Sequence, residues 1–524
     1  MNATWFNVPD VVMVFEVHQP YRLDRAFRQR LLERLAEEGC VKLADLEDLY
    51  LNQDLNRRII ERVARRCYVP ATRLFIDLLD EYEEFRISYS FSGVLLEQVE
   101  RWAPEALDLF KQVAQHSRCE VLGQTYYHSL AYLVGVEEFR EQVEEHRRTV
   151  REVLGVEPRV FENTELIYDN GVARLASEMG FKAVLTEGVE RVLGWRSPNY
   201  VYRAKGLELR VLLRNYRLSD DIGFRFAARW WEEYPLTAEK YAAWLAATPG
   251  QVICIFMDYE TVGEHFPAET GIFEFFKWLP REALKYEHVG FATPSEVVDR
   301  YEPVGELDVP EHDTISWADL ERDVSAWLHN EMQQALFTRV VQLEPLVKGL
   351  GDDVAVRLWK LVTISDHYYY MSTKGGGPGD VHAYFSPFTT PLEAFTTLSD
   401  VVADLELRVY RRFEGPGRLA LSWLRRLPED LAFRFCSAEG EPLGVVARSG
   451  AELLKHLRNV PVGSLEYHVA GSHLAKWISQ VLHDPESASK VEELKALRGE
   501  DLREALVRVL REAFERSLTM VKQV

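Results

Sequence analysis

Val252-Ile-Cys-Ile-Phe-Met257 is an unbroken apolar run, and Asp258-Tyr-Glu-Thr-Val-Gly-Glu-His265 follows it without a spacer. A short run of this kind, polar at both ends, suits a strand buried on both faces, as in a parallel sheet covered by helices. The same pattern recurs at Val11–Phe15, Ile87–Ser90, Glu120–Leu122, Val160–Phe161, Ala183–Leu185 and Val289–Phe291. Between these runs lie amphipathic stretches with helical spacing, among them Leu55–Arg65, Leu95–His116, Glu137–Val153 and Ala173–Met179. Strand and helix in alternation define an α/β class. Seven strands spread over residues 1–298 predict a closed β/α barrel in preference to a small open sheet. Tyr200–Asn215 interrupts the alternation and reads as a hairpin inserted between barrel elements.

Beyond the barrel the strand signal fades. Residues 299–413 are expected to form a helical domain, with Asp319–Leu343 and Val354–Met371 as its long helices. Glu414-Gly-Pro-Gly417 marks a turn-rich boundary. After it, residues 414–524 read as a small α+β module: a hairpin at Leu431–Cys436 and Pro442–Val446, then helices at Gly450–Leu457, His473–Leu482 and Asp501–Ser517.

Composition narrows the function. The 524 residues carry 62 basic and 83 acidic side chains, a formal charge of −21, and 47% are hydrophobic. That is ample material for a large core, and the charge argues against nucleic acid or an anionic membrane as partner. Five cysteines without CxxC spacing suggest neither a disulfide framework nor a thiolate zinc site, and the N-terminus shows no signal-peptide pattern; a cytoplasmic location is expected. No apolar run reaches the ~20 residues of a membrane helix.

In a β/α barrel the loops after the strands converge on one mouth. Four strand ends are rich in chemistry: Glu16-Val-His18-Gln19-Pro20-Tyr21, Gly123-Gln124-Thr125-Tyr126-Tyr127-His128, Asn163-Thr164-Glu165-Leu166-Ile167-Tyr168, and Asp258–His265. A single strand-end His or Asp is commonly structural; four coinciding on one rim point to a site. Carboxylates on different strand ends suit glycoside cleavage. In a retaining enzyme one attacks the anomeric carbon and another, roughly 5 Å away, protonates the leaving oxygen. Glu165 and Asp258, on different strand ends, can meet that requirement, and the acid would need its pKa raised by burial or by its neighbour's charge. Tyr126, Tyr127, Tyr168 and Tyr259 offer faces for stacking on sugars, or alternatively rim packing.

These segments also carry a resemblance. His18-Gln19-Pro20, Gly123–His128, Asn163–Leu166 and Asp258–His265 resemble the first four motifs of glycoside hydrolase family 57, most closely its α-amylase branch. Ser365-Asp-His-Tyr-Tyr-Tyr-Met371 is similar to the fifth, and Glu187–Tyr202, Arg214–Phe226 and Ser316–Asn330 also resemble that branch. The resemblance implies a (β/α)7 barrel followed by a helical domain that completes the active site, double-displacement cleavage of α-1,4-glucans, and no cofactor or metal. It also implies Glu165 as nucleophile and Asp258 as general acid/base, with His18, His128, Asp366 and Tyr369 on the glycone side. Gln19, Tyr168, Glu260, His265 and Trp317, from the same segments, complete the expected substrate-binding set. Glu16 stands where related sequences often carry Gln, and Val262 where Phe is frequent. Tyr369 stands where transferase-type members tend to carry Trp, so hydrolysis, 4-α-glucanotransfer and branching all stay open. Residues 428–495 resemble a small accessory domain found beside carbohydrate enzymes, through Phe433-Arg-Phe435, Val460-Pro461, Ser464–His468 and Trp477.

Two rivals belong to other classes. A metal-dependent polysaccharide deacetylase could draw ligands from His18, His128, His265, His367 and Asp258, but HxxxH and HExxH spacings are absent and Glu165 would be left without a role. A silent glucan-binding barrel is disfavoured because both carboxylates are kept. Gly375-Gly-Gly-Pro-Gly379 lacks the ending of a phosphate loop and reads as a flexible loop near the mouth. Oligomeric state is not legible.

Overall fold

The first strand, β1 (Asp10–Val17), is buried along its whole length and lies between two parallel neighbours, β2 (Ile87–Phe91) and β8 (Val252–Asp258). This is a computed structural model, and it describes residues 9–374 and 386–522. The expected loop at 375–379 lies outside the described residues.

From β1 the sheet runs through β2 to β3 (Cys119–Val121). A parallel bridge between Gly123 and Phe161 carries it to β4 (Val160–Glu162), which pairs with β5 (Ala183–Glu187). The strand β6 (Tyr202–Ala204) is antiparallel to β7 (Arg210–Arg214), and β7 is parallel to both β5 and β8. The circuit β1-β2-β3-β4-β5-β7-β8 therefore returns to β1, a seven-stranded parallel barrel among the described residues.

The hairpin expected at Tyr200–Asn215 exists, but its second arm is no insertion. Val211, Leu212 and Leu213 are fully buried and fill the gap between β5 and β8. The last expected strand shrinks to β9 (Gly290–Phe291), which among the described residues pairs only with the start of β1. The membership of the barrel differs from the sequence reading by this exchange. A short β10 (Glu306–Leu307) extends the sheet beside β6.

The outer faces of the strands pack with the helices in more than one aromatic-rich cluster. Phe15 packs against Phe75, Tyr259 and Phe276 with ring centroids 5.2–5.8 Å apart. The helices are fixed locally: the Asp169 carboxylate caps helix Asn170–Glu178 by accepting from the Gly171 and Val172 N–H groups. Thr293 and Glu296 form a reciprocal capping box on helix Pro294–Arg300.

The chain divides into two compact units. The first comprises residues up to Ala26, Asp48–Gln334 and Thr363–Phe395; the second comprises Phe27–Glu47, Ala335–Val362 and residues from Thr396 on. The first holds the barrel. The second is mainly helical, with the antiparallel hairpin β11 (Phe433–Cys436) and β12 (Pro442–Ala447). Its C-terminal core packs Trp423, Phe433, Phe435, Trp477 and Leu506, and the Trp423 indole donates to Asp484 at 3.1 Å. The long helix expected at Val354–Met371 is broken into Asp353–Leu361 and Ser365–Tyr369. Among the described residues no helix is long and apolar enough to cross a membrane.

Candidate active site

Glu165 follows β4 in a turn that only tight local bonding can hold. Its φ of 61° and that of Leu166, 53°, lie in the left-handed region, which costs a non-glycine residue ~1–3 kcal/mol unless the surroundings impose it. The surroundings do so. The Leu166 and Ile167 N–H groups donate to Asn163 and Thr164, and the Asn163 amide donates to the Ile167 carbonyl. Thr186 donates to the Leu166 carbonyl, and the Trp317 N–H donates to the Glu165 carbonyl at 3.2 Å.

Donors converge on the Glu165 carboxylate. The Trp317 indole N–H donates to Oε2 at 2.7 Å and the Ser365 hydroxyl to Oε1 at 3.0 Å. His128 Nε2 lies 3.6 Å from Oε1. His128 sits at a φ of 49°, and its Nδ1 faces two more oxygens, Gln124 Oε1 at 3.1 Å and Glu16 Oε1 at 3.2 Å. The Gln124 amide donates to Ser90 Oγ, which donates to Glu162 Oε1. This chain fixes the amide orientation, so Gln124 Oε1 is an acceptor and His128 Nδ1 carries a proton. With acceptors at both ring nitrogens, His128 is suited to the doubly protonated form. Burial lowers its pKa, but the Glu165 hydrogen bond and charge, with Asp366 and Glu162, raise it above the ordinary value.

His18 stacks on His128, centroids 4.0 Å apart, yet has the opposite character. Burial and the His128 charge push it down to about 4, so it is neutral at pH 7. Its Nδ1 is 2.7 Å from the Ser92 hydroxyl and its Nε2 is 3.1 Å from Asp366 Oδ2. Burial would push Asp366 up, but the His18 hydrogen bond and the surrounding imidazoles hold it well below the usual carboxylate range.

Asp258 ends β8 in extended geometry, half-buried. Among the described residues no side chain hydrogen-bonds to its carboxyl. Burial, then the Glu165 charge, raises it to about 7, against the lowering influence of His128 and Arg214. The two carboxyls are thus close enough for one charge to shift the other.

A layer of further acids lies around this pair. Glu16 is in register with Asp258 on one side and Ser90 on the other. Burial and the charges of Glu162, Glu165, Asp258 and Glu260 push Glu16 well up. Burial raises Glu162 to about 7, and burial with Asp258 raises Glu260 to about 8. Glu260 Oε1 accepts from the Tyr68 hydroxyl and, at 3.3 Å, from Gln19, whose own Oε1 accepts from Arg22 at 2.7 Å. Tyr369 is half-buried at the rim, its ring 6.1 Å from that of Trp327, and burial, then the charges of Asp319, Glu165, Asp258 and Asp366, raise its pKa.

Of the expected residues, Glu165, Asp258, His18, His128, Trp317, Asp366 and Tyr369 are gathered at the strand ends, with Gln19 and Glu260 adjoining. His265 is tied to the cluster through the main chain, its N–H donating to the Glu260 carbonyl at 2.8 Å, and burial lowers its imidazole to about 4. Tyr168 is placed elsewhere: its ring is fully buried among Phe161, Val172 and Leu213, while its backbone pairs with Ile315. Tyr126, Tyr127 and Tyr259 are buried as well. A strand-end tyrosine turned toward the covering helices gains core area instead of facing the mouth, so none of these four offers a free face to a sugar. Ser365, Gln124, Ser90, Ser92 and Arg214 carry much of the arrangement, and the sequence alone did not single them out. Among the described residues no group of three or more His, Cys, Asp or Glu is placed to hold a metal ion.

The seven-stranded β/α barrel carries paired carboxyls, Glu165 and Asp258, at its strand ends. The sequence matches the description Glycosyl hydrolase family 57 over residues 12–310, and the chain belongs to that family. It is 47% identical over 401 residues to a putative alpha-amylase of Methanocaldococcus jannaschii, covering 75% of this chain and 83% of that one. Among solved structures it is similar to the 4-alpha-glucanotransferase of Thermococcus litoralis, with TM-score 0.54, 16% identity, and 78% of this chain and 60% of that one covered. It is also similar to a branching enzyme of Pyrococcus horikoshii, with TM-score 0.51, 12% identity, and 98% and 96% covered.

Proposed function

We propose that the protein is an α-amylase-type retaining hydrolase of α-1,4-glucans, with Glu165 as nucleophile and Asp258 as general acid/base. The observation that carries this reading is the opposite treatment of the two carboxyls. Glu165 is met by N–H and O–H donors, while among the described residues no donor meets the Asp258 carboxyl, whose pKa burial and the Glu165 charge raise to about 7. A donor-supported carboxylate suits attack, and a carboxyl with a raised pKa suits proton donation.

In the first step Glu165 bonds to the anomeric carbon while the glycosidic bond breaks and Asp258 gives its proton to the departing oxygen. In the second, water attacks the glycosyl ester, Asp258 takes its proton, and Glu165 leaves as carboxylate, which restores the enzyme. His18, Asp366, Gln19 and Tyr369 supply hydrogen-bonding partners for sugar hydroxyls. The substrate is neutral, in keeping with a chain whose charge of −21 needs no polyanionic partner. The high identity to a putative alpha-amylase favours hydrolysis. The five free cysteines fit a cytoplasmic location. Residues 1–298 are assigned as the catalytic barrel, 299–413 as a helical region and 414–524 as an accessory module.

The test is incubation with maltoheptaose and with amylose, following reducing ends and chain lengths. New reducing ends with shorter chains are expected. Longer chains at constant reducing ends would instead mark a glucanotransferase on the same site, and new branch points a branching enzyme.

A further inference from the structure

Trp317, whose indole holds Glu165, has another neighbour with a reach to Asp258. Arg214 is the last residue of β7 and is only 3% exposed. Its guanidinium carbon lies 5.5 Å from the Trp317 ring centroid, and its Nε donates to the Phe256 carbonyl at 2.8 Å. Phe256 is two residues before Asp258 on β8, and its ring packs edge-on against Trp317 at 5.3 Å. One buried cation thus touches the indole that holds one carboxylate and the strand that carries the other.

Arg214 is itself clamped. Its Nη1 donates to Glu187 Oε2 at 2.9 Å and its Nη2 to Asp220 Oδ1 at 2.5 Å. Glu187, fully buried and in register with Arg214 across β5 and β7, also accepts from Arg322 at 2.6 Å and from the Gly188 N–H at 2.7 Å. Arg322 stacks on Tyr216 at 4.1 Å and comes within 4.0 Å of Asp220. Two guanidinium and two carboxylate groups balance in charge. Desolvating four charges is costly, and a well-packed apolar set would stabilise the fold as well or better. A role in the site accounts for their presence.

We infer that Arg214, clamped by Glu187, Asp220 and Arg322, is a positioning residue that sets Trp317 against Glu165 and fixes the end of β8 that carries Asp258. The inference rests on the roles proposed above for Glu165 and Asp258. It makes a signed prediction about charge. Asp258 faces the carboxyls of Glu165, Asp366, Glu16 and Glu260, the imidazole of His128, the phenol of Tyr369, and Arg214. Arg214 in turn faces Glu187, Asp220, Trp317 and Tyr241. Removing the Arg214 charge leaves Glu187 and Asp220 against the single guanidinium of Arg322, so Asp258 holds its proton to higher pH. Removing the Glu187 charge strengthens the influence of Arg214, so Asp258 loses its proton at lower pH.

The experiment measures kcat and KM from acid to alkaline pH for the full chain and for Arg214→Gln, Glu187→Gln and Arg322→Gln. It uses an aryl α-maltoside and α-maltosyl fluoride. Arg214→Gln is expected to lower kcat by ~10–100-fold with little change in KM, since a loosened donor weakens transition-state stabilisation. With the aryl substrate its alkaline limb moves up, that of Glu187→Gln moves down, and that of Arg322→Gln moves up by less. Should Arg214→Gln not fold, the isosteric Glu187→Gln and the more peripheral Arg322→Gln still supply opposite signs. Limbs that stay put, or that shift in one direction for all variants, overturn the inference. Fluoride departs without protonation, so the alkaline limb should vanish with the fluoride substrate in the unsubstituted enzyme. A limb that persists there contradicts the acid role of Asp258, and the inference falls with it. A limb that vanishes there but ignores both Arg214→Gln and Glu187→Gln contradicts the inference alone.

Discussion

The ends of β4 and β8 each present one carboxyl to the mouth, and the two are built in opposite ways. At β4 the backbone turns left-handed, and the Glu165 carboxylate meets an indole N–H, a hydroxyl and an imidazole. At β8 the strand continues straight to the half-buried Asp258, whose carboxyl lies near another charge and meets no donor among the described residues. The same functional group thus meets hydrogen-bond donors at one strand end and is left to hold its proton at the other. The difference lies in neighbours, not in residue type.

Substitutions at the pair should show this asymmetry most strongly. Glu165→Gln is expected to lower kcat by at least ~10^4-fold on every substrate while binding of maltoheptaose, followed by calorimetry, persists. Asp258→Asn is expected to cost ~10^2–10^4-fold on maltooligosaccharides but little in the glycosylation step with maltosyl fluoride, whose leaving group needs no proton. Equal losses on both substrates for both variants would erase the distinction.

The donors around Glu165 come next. Trp317→Phe keeps the ring and removes the N–H, and kcat should fall by ~10–100-fold, the range of a hydrogen bond to a charged group. Ser365→Ala should cost roughly a further factor of 10 by the same reasoning. If Trp317→Phe is as active as the parent enzyme, the β4 end is not prepared in the way described.

Titration sharpens the other side. With Asp258 raised to about 7, kcat/KM on unactivated substrates should fall as pH rises through that value. Among the smaller effects is one on stability. Glu260 has its folded-state pKa raised to about 8, so its contribution is fully present below its unfolded value and is lost as pH rises through 8. Glu260→Gln should therefore raise the melting temperature at pH 9 relative to the parent, with a smaller gain or none at pH 5.

Much of the barrel is written in local pattern, because buried parallel strands are apolar runs and β1, β2, β5 and β8 are among the clearest in the chain. β7 was obscured. It is flanked by Arg210 and Arg214 and preceded by the Lys205-Gly206 turn, so it reads as the arm of a hairpin, and only closure against β5 and β8 reveals it as a barrel strand. The charged groups of the site were legible because His, Asp and Glu at strand ends are conspicuous. The contacts that distinguish them were not, although Trp317 was expected as a substrate-binding residue and Ser365 stood in the fifth motif-like segment. Trp317 meets Glu165 across 152 residues and Ser365 across 200, and no spacing rule reports such pairs. Tyr168 misled for the converse reason, and for Tyr259 the choice between stacking and packing had stayed open: an amphipathic ring at a strand end fits the core as readily as the mouth, and burial decided for the core.

The most direct test of the central claim is trapping. Treatment with a 5-fluoro-α-maltosyl fluoride, followed by proteolysis and mass spectrometry, should place a single glycosyl ester on the peptide carrying Glu165, and Trp317→Phe should slow its formation. An ester on Asp258 or another carboxylate, or release of product with inverted anomeric configuration and no ester, would contradict the account.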